Sequence, residues 1–111
     1  MNELDDLTLI MQGKAGDTAA VNELWARHQN FIRQQMAKIY AKNKGLADRV
    51  GIDRDDLITE GWFSVRDTVR RYDPSKRMAF LTVLGWSLRA TATKTLTTSR
   101  RKLLRDENGK Q

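Results

Sequence analysis

Hydrophobic residues recur at intervals of three and four along most of the chain, the spacing of helices that bury one face. The pattern predicts a short helix over residues 3–12 that ends at Gly13. The apolar positions of this helix are Leu4, Leu7, Ile10 and Met11. Asp17 is the expected N-cap of a second, long helix that continues to about Lys42. Residues 42–52 contain two glycines and alternating charges, so a loop is predicted there.

Two more helices are predicted on either side of the only proline. Asp53 suits an N-cap, and Asp56 three positions later is able to complete a capping box. Apolar residues then follow at helical spacing: Leu57, Ile58, Gly61, Trp62, Val65, Val69 and Tyr72. Residues 72–75 should end this helix, because the residue before a proline is pushed out of helical geometry. The last helix is predicted from near Met78 to about Thr98.

The last predicted helix has two different sides. At about 100° per residue, one side carries Phe80, Leu84, Leu88, Thr91 and Thr95. The opposite side carries Thr82, Trp86, Arg89, Thr93 and Arg100. An aromatic ring among cations and hydroxyls suits a single-stranded nucleic acid, whose bases stack and whose phosphates bind cations. The alternative is that another part of the chain covers Trp86, as in an ordinary protein core.

These elements predict an all-α fold, a small bundle of about four helices without alternating β-strand patterns. A chain of 111 residues is large enough for one modest core. We expect residues 1–105 to form a single helical domain and residues 106–111 to be a frayed tail.

Composition excludes several classes of function. The chain has no cysteine and one histidine, His28, so disulfide scaffolds, thiol nucleophiles and histidine-based zinc sites or triads are not expected. The only dense carboxylates are Asp53, Asp55, Asp56 and Glu60. They lie at a helix start without the glycine of a calcium loop, so no metal, cofactor or catalysis is predicted. Without a secretion signal or a membrane-length apolar run, the expected location is the cytoplasm.

Charge is distributed unevenly along the chain. Residues 1–60 contain 8 lysines and arginines against 10 acids, and residues 61–111 contain 12 against 4, so the net charges are −2 and +8. A basic half favours polyanions, most often nucleic acid, and leaves the acidic half free for another partner. The alternative is that the excess lysines and arginines lie on solvated helix faces and only keep the protein soluble.

Three motifs carry a resemblance to a known family. The first is Asp56-Leu57-Ile58-Thr59-Glu60-Gly61, the second is Val69 to Asp73 followed by Pro74, and the third comprises Phe80, Thr82, Trp86, Leu88 and Arg89. In order and spacing they resemble region 2 of bacterial sigma factors, with its patterns D-L-I-x-E-G, A-V-x-x-[FY]-D-P and F-x-T-Y-x-x-W-x-[IL]-R. Upstream, Ala15-Gly16-Asp17 and the residues that follow are similar to the first helix pair of that region. The resemblance covers most of the chain and implies a sigma region 2-like bundle.

The resemblance also implies function: binding to the clamp helices of the RNA polymerase beta-prime subunit, and contact with the promoter minus-ten element. By position, the residues expected at the polymerase are Asp55, Asp56, Thr59 and Glu60. The residues expected at DNA are Arg70, Arg71, Lys76, Arg77, Thr82, Trp86, Arg89, Thr93, Lys94, Arg100 and Arg101. Arg66 should lie nearer the DNA side than the acids do.

The chain departs from the family at three DNA-facing positions. Val83 replaces the tyrosine that holds a flipped base, Ser87 replaces the second tryptophan, and Ala90 replaces a glutamine. In this it resembles shorter alternative sigma factors, or sigma-like proteins of mobile elements and phages. Two other functions stay open, a polymerase-docking regulator without promoter recognition and a generic basic helical DNA-binding protein. Further expected partners are an anti-sigma protein, or a protein that supplies a second DNA-binding domain.

Overall fold

A computed structural model of the protein describes residues 5–108, which fold entirely into helices and connecting turns. In chain order the helices are α1 (Asp6–Lys14), α2 (Thr18–Arg27), α3 (Gln29–Lys42), α4 (Lys44–Val50), α5 (Arg54–Arg71) and α6 (Phe80–Asn108). A 3₁₀ turn, Pro74–Lys76, joins the last two. The predicted all-α class is therefore confirmed, whereas the described residues form six helices and not about four.

The two extra helices arise from one interruption and one misassigned loop. The long helix predicted from Asp17 is broken at His28, whose backbone leaves helical geometry at φ −104° and ψ 22°. The His28 imidazole Nε2 lies 2.7 Å from an Asp6 carboxylate oxygen, and the Arg27 guanidinium binds the other oxygen at 3.3 Å. Helix α1 therefore holds both side chains at the break. Hydrophobic spacing continues across it, so periodicity could not reveal it.

The loop predicted over residues 42–52 is also wrong, because seven of those residues form α4. Ala47 is fully buried in this helix, and α4 packs on the C-terminal part of α6. Lys44 and Asp48 stabilise it with a pair across one helical turn, 2.7 Å from nitrogen to oxygen. Gly51 ends the helix in the left-handed region at φ 75°, where glycine is unstrained.

Helix α5 begins as the sequence predicts. The Asp56 amide donates to the Asp53 carboxylate at 2.8 Å, and the Asp53 amide donates to the Asp56 carboxylate at 2.9 Å. This reciprocal capping box satisfies two amides of the first turn. The helix ends before Tyr72, whose hydroxyl donates to the Met78 carbonyl oxygen at 2.7 Å. That bond closes the turn toward α6.

Helix α6 is longer than predicted. It continues past Thr98 to Asn108, a length of about 43 Å for its 29 residues. Leu96 is buried within it. Of the tail predicted to fray, residues 106–108 are helical and residues 109–111 lie outside the described part. The helix spans much of the 59 Å long axis of the molecule.

The core forms where α5 packs on α1, α2, α3 and α6. Its fully buried large side chains are Ile10, Leu24, Ile32, Met36, Leu57, Val65, Val69, Leu84 and Leu88. The predicted apolar face of α1 is wrong in part, because Leu7 and Met11 are 48% and 51% exposed. Leu4 lies outside the described residues. No helix between residues 5 and 108 is both long enough and apolar enough to cross a bilayer.

Gly13 does not end α1; it lies within the helix at its closest approach to the core. A Cβ atom at this position would lie 2.8 Å from Val69 Cγ1 and 3.2 Å from Val21 Cγ2. Both neighbours are stiff β-branched side chains, so they yield little. A glycine here lets α1 lie directly on α5 and α2.

We expect Gly13→Ala to lower the free energy of unfolding by about 1 kcal/mol. Overpacking costs about 1–3 kcal/mol and outweighs the gain in helix propensity of about 0.5–1 kcal/mol. Gly45→Ala in α4 is the matched control, because a Cβ atom there meets nothing within 4 Å. The control should stabilise the protein by about 0.5–1 kcal/mol. Chemical denaturation measures both, and a stabilised Gly13→Ala protein would contradict the close-approach account.

Candidate nucleic-acid interface

A groove runs between the antiparallel helices α5 and α6, with a volume of about 710 Å³. Small polar residues hold the two helices together on one side of it. The Ser64 hydroxyl donates to the Thr91 hydroxyl at 2.6 Å and lies 3.3 Å from the Ser87 carbonyl oxygen. These contacts fix the register of the two helices. The charged and aromatic side chains lining the groove are Glu60, Phe63, Arg66, Asp67, Arg71, Trp86 and Lys94.

Trp86 lies on the α6 wall of this groove and is 50% exposed. The alternative in which another part of the chain covers this tryptophan is therefore wrong. The other members of its stripe, Thr82, Arg89, Thr93 and Arg100, are exposed as well. An open indole beside cations and hydroxyls presents a surface on which an unpaired base is able to stack.

The groove collects some of the residues predicted to bind DNA and leaves others elsewhere. Arg71 and Lys94 line it together with Trp86. Arg71 lies seven residues along α5 from Ser64, and Lys94 lies eight residues along α6 from Trp86, distances of about 10–12 Å. Because the two helices are antiparallel, Arg71 lies toward one end of the groove and Lys94 toward the other. A strand that follows the groove would pass both cations.

The remaining predicted DNA contacts are exposed but spread over the molecule. Arg70 lies beside α1, where its carbonyl oxygen accepts a hydrogen bond from the Lys14 ammonium group at 3.1 Å. Arg100 lines a separate cleft between α4 and the C-terminal part of α6. Arg101 lies one residue farther along α6, so these residues extend the positive surface beyond the groove without joining it.

Lys76 and Arg77 are in the turn between α5 and α6. Asp73 holds this turn by accepting hydrogen bonds from the Ser75 hydroxyl at 2.7 Å and the Ser75 amide at 2.9 Å. The hydroxyl first, and then the amide, lower the pKa of Asp73 below its usual value. The turn is therefore held at neutral pH and loses this support as pH falls through the lowered pKa. Arg77 follows in the left-handed region at φ 56°, an uncommon geometry for an arginine.

The residues predicted to contact the polymerase form an acidic surface at the start of α5. Asp55, Asp56 and Thr59 are exposed on its first two turns. Asp56 also belongs to the capping box, so it has a structural role besides any binding role. Glu60 is half-buried and lines the groove, which makes it the point where the acidic surface meets the candidate nucleic-acid surface.

Phe63 was not among the predicted site residues, although it lines the groove and is 42% exposed. The Arg66 guanidinium lies 5.1 Å from the centre of its ring and 5.6 Å from the centre of the Trp62 ring. The spacing of Glu60, Phe63 and Asp67 at three and four residues indicates a shared helix face. That signal could have found Phe63 once the facing helix was known.

The positions at which the chain departs from sigma factors line the same groove. Val83, Ser87 and Ala90 are all on its α6 wall. Their side chains are smaller than those of the corresponding family residues, so this wall is open around Trp86. Within residues 5–108, no three histidine or acidic side chains are grouped as metal ligands would be.

Comparison of the chain with protein-family models, curated proteins and solved structures finds no match. The function of the groove has to be inferred from its own chemistry and from the sequence motifs.

We expect Trp86→Ala to weaken binding to single-stranded or bubble DNA by about 1–3 kcal/mol through lost stacking. The melting temperature should fall less than it would for a fully buried tryptophan, because half of the indole is already exposed. Leu104→Ala is the control: Leu104 is a large apolar residue of α6, 42% exposed and outside the groove. Its binding should match that of the wild type. A Trp86→Ala protein with wild-type DNA affinity would remove this residue from the site.

Arg89→Ala and Lys94→Ala should act through phosphates and not through bases. Each lost phosphate contact should make the dependence of log affinity on log salt shallower by about 0.7–0.9. Lys38→Ala removes an exposed cation from α3 and should leave the slope unchanged. Titrations with a labelled oligonucleotide at several salt concentrations measure the slopes. If the Arg89→Ala and Lys94→Ala proteins have the same slope as the Lys38→Ala control, the two cations do not bind the DNA backbone.

Proposed function

We propose that this protein is a sigma-factor-like transcription initiation module. In this proposal the acidic start of α5 binds the beta-prime clamp helices of the RNA polymerase core, and the groove and adjoining face of α6 contact the promoter minus-ten element. The observation that carries the proposal is Trp86, a half-exposed indole in a groove with cations toward both ends. The activity would belong to the cytoplasm.

The acidic surface supports the polymerase part of the proposal. Asp55 and Thr59 are both exposed and lie one helical turn apart on α5. The capping box fixes the first turn of this helix. A rigid acidic helix end complements a basic partner, and such charges set orientation and association rate more than affinity. The sequence D-L-I-T-E-G at this position is the motif that most resembles the polymerase-binding part of the family.

Charge and shape support the DNA part. The second half of the chain has a net charge of +8, and its long helix displays Arg89, Lys94, Arg100 and Arg101 at the surface. A surface of this kind attracts nucleic acid at long range and holds it through phosphates. Hydroxyl groups along the same helix are able to donate to phosphates and bases. Single-stranded DNA is favoured over duplex because the aromatic side chains lie in a groove.

A polymerase-docking regulator without promoter recognition is the second candidate function. Val83, Ser87 and Ala90 favour it, because none of them offers a flat ring or an amide to a flipped base. A generic helix-turn-helix protein is less well supported. Eight residues separate Arg71 from Phe80, whereas a recognition helix usually follows its partner after three or four. A partner protein, either inhibitory or carrying a second DNA-binding domain, is compatible with both polymerase-binding functions.

Glu60→Lys should weaken binding to the RNA polymerase core by about tenfold or more, since it opposes like charges at the docking surface. Asp106→Lys makes the same charge change far along α6 and should bind as the wild type does. Asp56→Ala should also weaken binding, but it removes a cap worth about 0.5–2 kcal/mol, so its fold must be checked by circular dichroism. A pull-down with purified core measures all three variants. Wild-type binding by a folded Glu60→Lys protein would contradict the docking surface.

Transcription from a candidate promoter, with core and the wild-type protein, then separates the two polymerase-binding functions. Initiation that depends on the protein supports the sigma-like role. Core binding without initiation, on linear and on pre-melted templates, supports the regulator.

A further inference from the structure

Phe63 and Trp86 are at nearly the same level of the α5–α6 groove, offset by about 3 Å because the two helices are antiparallel. Ser64 on α5 contacts the Ser87 carbonyl on α6, and each aromatic residue immediately precedes one of these two contact residues. Both side chains line the groove, one from each helix, and they are 42% and 50% exposed. Exposed rings that occur singly need no explanation, but two rings on facing walls of one groove form a combined surface.

The Phe63 ring is held in place from its own helix. The Trp62 ring meets it edge-on, with ring centres 5.3 Å apart and an interplanar angle of 89°. The Arg66 guanidinium lies 5.1 Å from the centre of the Phe63 ring and 3.6 Å from an Asp67 carboxylate oxygen. The Trp62 indole in turn donates to Asn22 at 2.7 Å. This packing orients Phe63 before any ligand arrives, which lowers the entropic cost of stacking on it.

The polar groups around the two rings suit a nucleotide better than an apolar ligand. Among the described residues, two buried side-chain atoms have no hydrogen-bond partner, Arg66 Nε and Thr68 Oγ1, and both residues line this groove. Arg66 Nε lies 3.6 Å from an Asp67 carboxylate oxygen, and both atoms without a partner are buried, so the groups that a ligand in the groove would meet are the carboxylates and not these atoms. The Glu60 and Asp67 carboxylates also line the groove. They repel phosphates but accept hydrogen bonds from the exocyclic amino groups of bases.

Two cationic side chains lie toward the two ends of the groove, on either side of the aromatic residues. Arg71 and Lys94 are each about 12 Å along their helices from Phe63 and Trp86 respectively, in opposite directions along the groove. Phosphates of a bound strand would meet a cation before and after the aromatic level. At that level itself, base edges would face the two carboxylates and the wall at Ser87 and Val83.

We propose that Phe63 and Trp86 together form a stacking site for one unpaired base of a single-stranded DNA that runs along the groove. The site rests on the DNA part of the proposed function and adds a residue from α5 to it. Phe63 supplies the aromatic surface that Val83, Ser87 and Ala90 do not supply on α6. Arg66 is a positioning residue, because it acts on the base through the Phe63 ring.

The test compares short labelled single strands binding to wild-type protein and to Phe63→Leu, which keeps apolar volume but loses the π face. The loss of one stacking surface should reduce affinity by about five- to 150-fold. Phe63→Trp keeps an aromatic face and should bind within about twofold of the wild type. Leu7→Ala, at an apolar side chain of α1 that is 48% exposed, is the control and should have no effect. Thermal melting of each variant shows whether it is folded at the assay temperature.

A double-mutant cycle tests whether both rings hold the same base. In a Trp86→Ala background, Phe63→Leu should lower the affinity for the strand by a further factor of less than about two. The effects of two residues that share one binding partner are not additive. A second measurement uses strands with a single abasic nucleotide at successive positions. Wild-type affinity should fall at one position, and Phe63→Leu should be insensitive to the missing base at that position.

Three results would overturn the proposal in distinguishable ways. Wild-type affinity of a folded Phe63→Leu protein, with Trp86→Ala still weakened, would remove the paired site and leave the proposed function intact. Fully additive losses, or no abasic position that Phe63 senses, would show that the rings bind separately. If wild-type protein binds neither single strands nor bubble DNA, alone or with polymerase core, the DNA part of the proposed function fails together with this site. Phe63→Leu that loses only core binding would assign Phe63 to the polymerase surface.

Discussion

The close contact between α5 and α6 is the constraint on which the rest of the molecule depends. Gly61 lies where a larger α5 residue would meet its neighbours, because a Cβ atom there would approach Ile32, Leu88 and Trp25 to 3.0–3.3 Å, and Ser64 is fully buried one turn later. Small residues bring the two helices together on the side that faces the core. On the opposite side, long side chains line the groove between the helices. The groove is the consequence of that arrangement, so its aromatic residues and cations are positioned by the core.

Local signals in the sequence predicted the elements that depend on local chemistry. The Asp53–Asp56 capping box, the N-cap at Asp17 and the helix end before Tyr72 each involve residues a few positions apart, and all three are present. The apolar stripe of α6 was also predicted correctly at Phe80, Leu84 and Leu88. In the site, the stripe that contains Trp86 was expected to be exposed and is exposed. The polymerase and DNA roles of these residues remain predictions.

The errors occurred where a distant residue decides the structure. At the break, His28 contacts Asp6 on another helix, and α1, which leaves Met11 exposed, approaches Val69 most closely at Gly13. Helix α4 forms where two glycines suggest a loop; it packs on α6, and its Ala47 is fully buried. Phe63 was missed for the same reason. Its place in the site is defined by Trp86 on the facing helix, a relation that helical periodicity within α5 does not contain.

In the folded protein, the uneven distribution of charge along the chain becomes an acidic surface and a basic surface that lie close together. Helix α5 begins with acids and a rigid cap, and the chain then turns at Pro74 and returns along α6 with an excess of cations. Because the two helices are antiparallel, Glu60 on α5 and Lys94 on α6 line the same groove. A partner on the acidic end would therefore sit beside any strand in the groove. In the proposed function, binding at one surface would then be coupled to binding at the other, since charge brought to Glu60 would change the potential that a phosphate meets at Lys94.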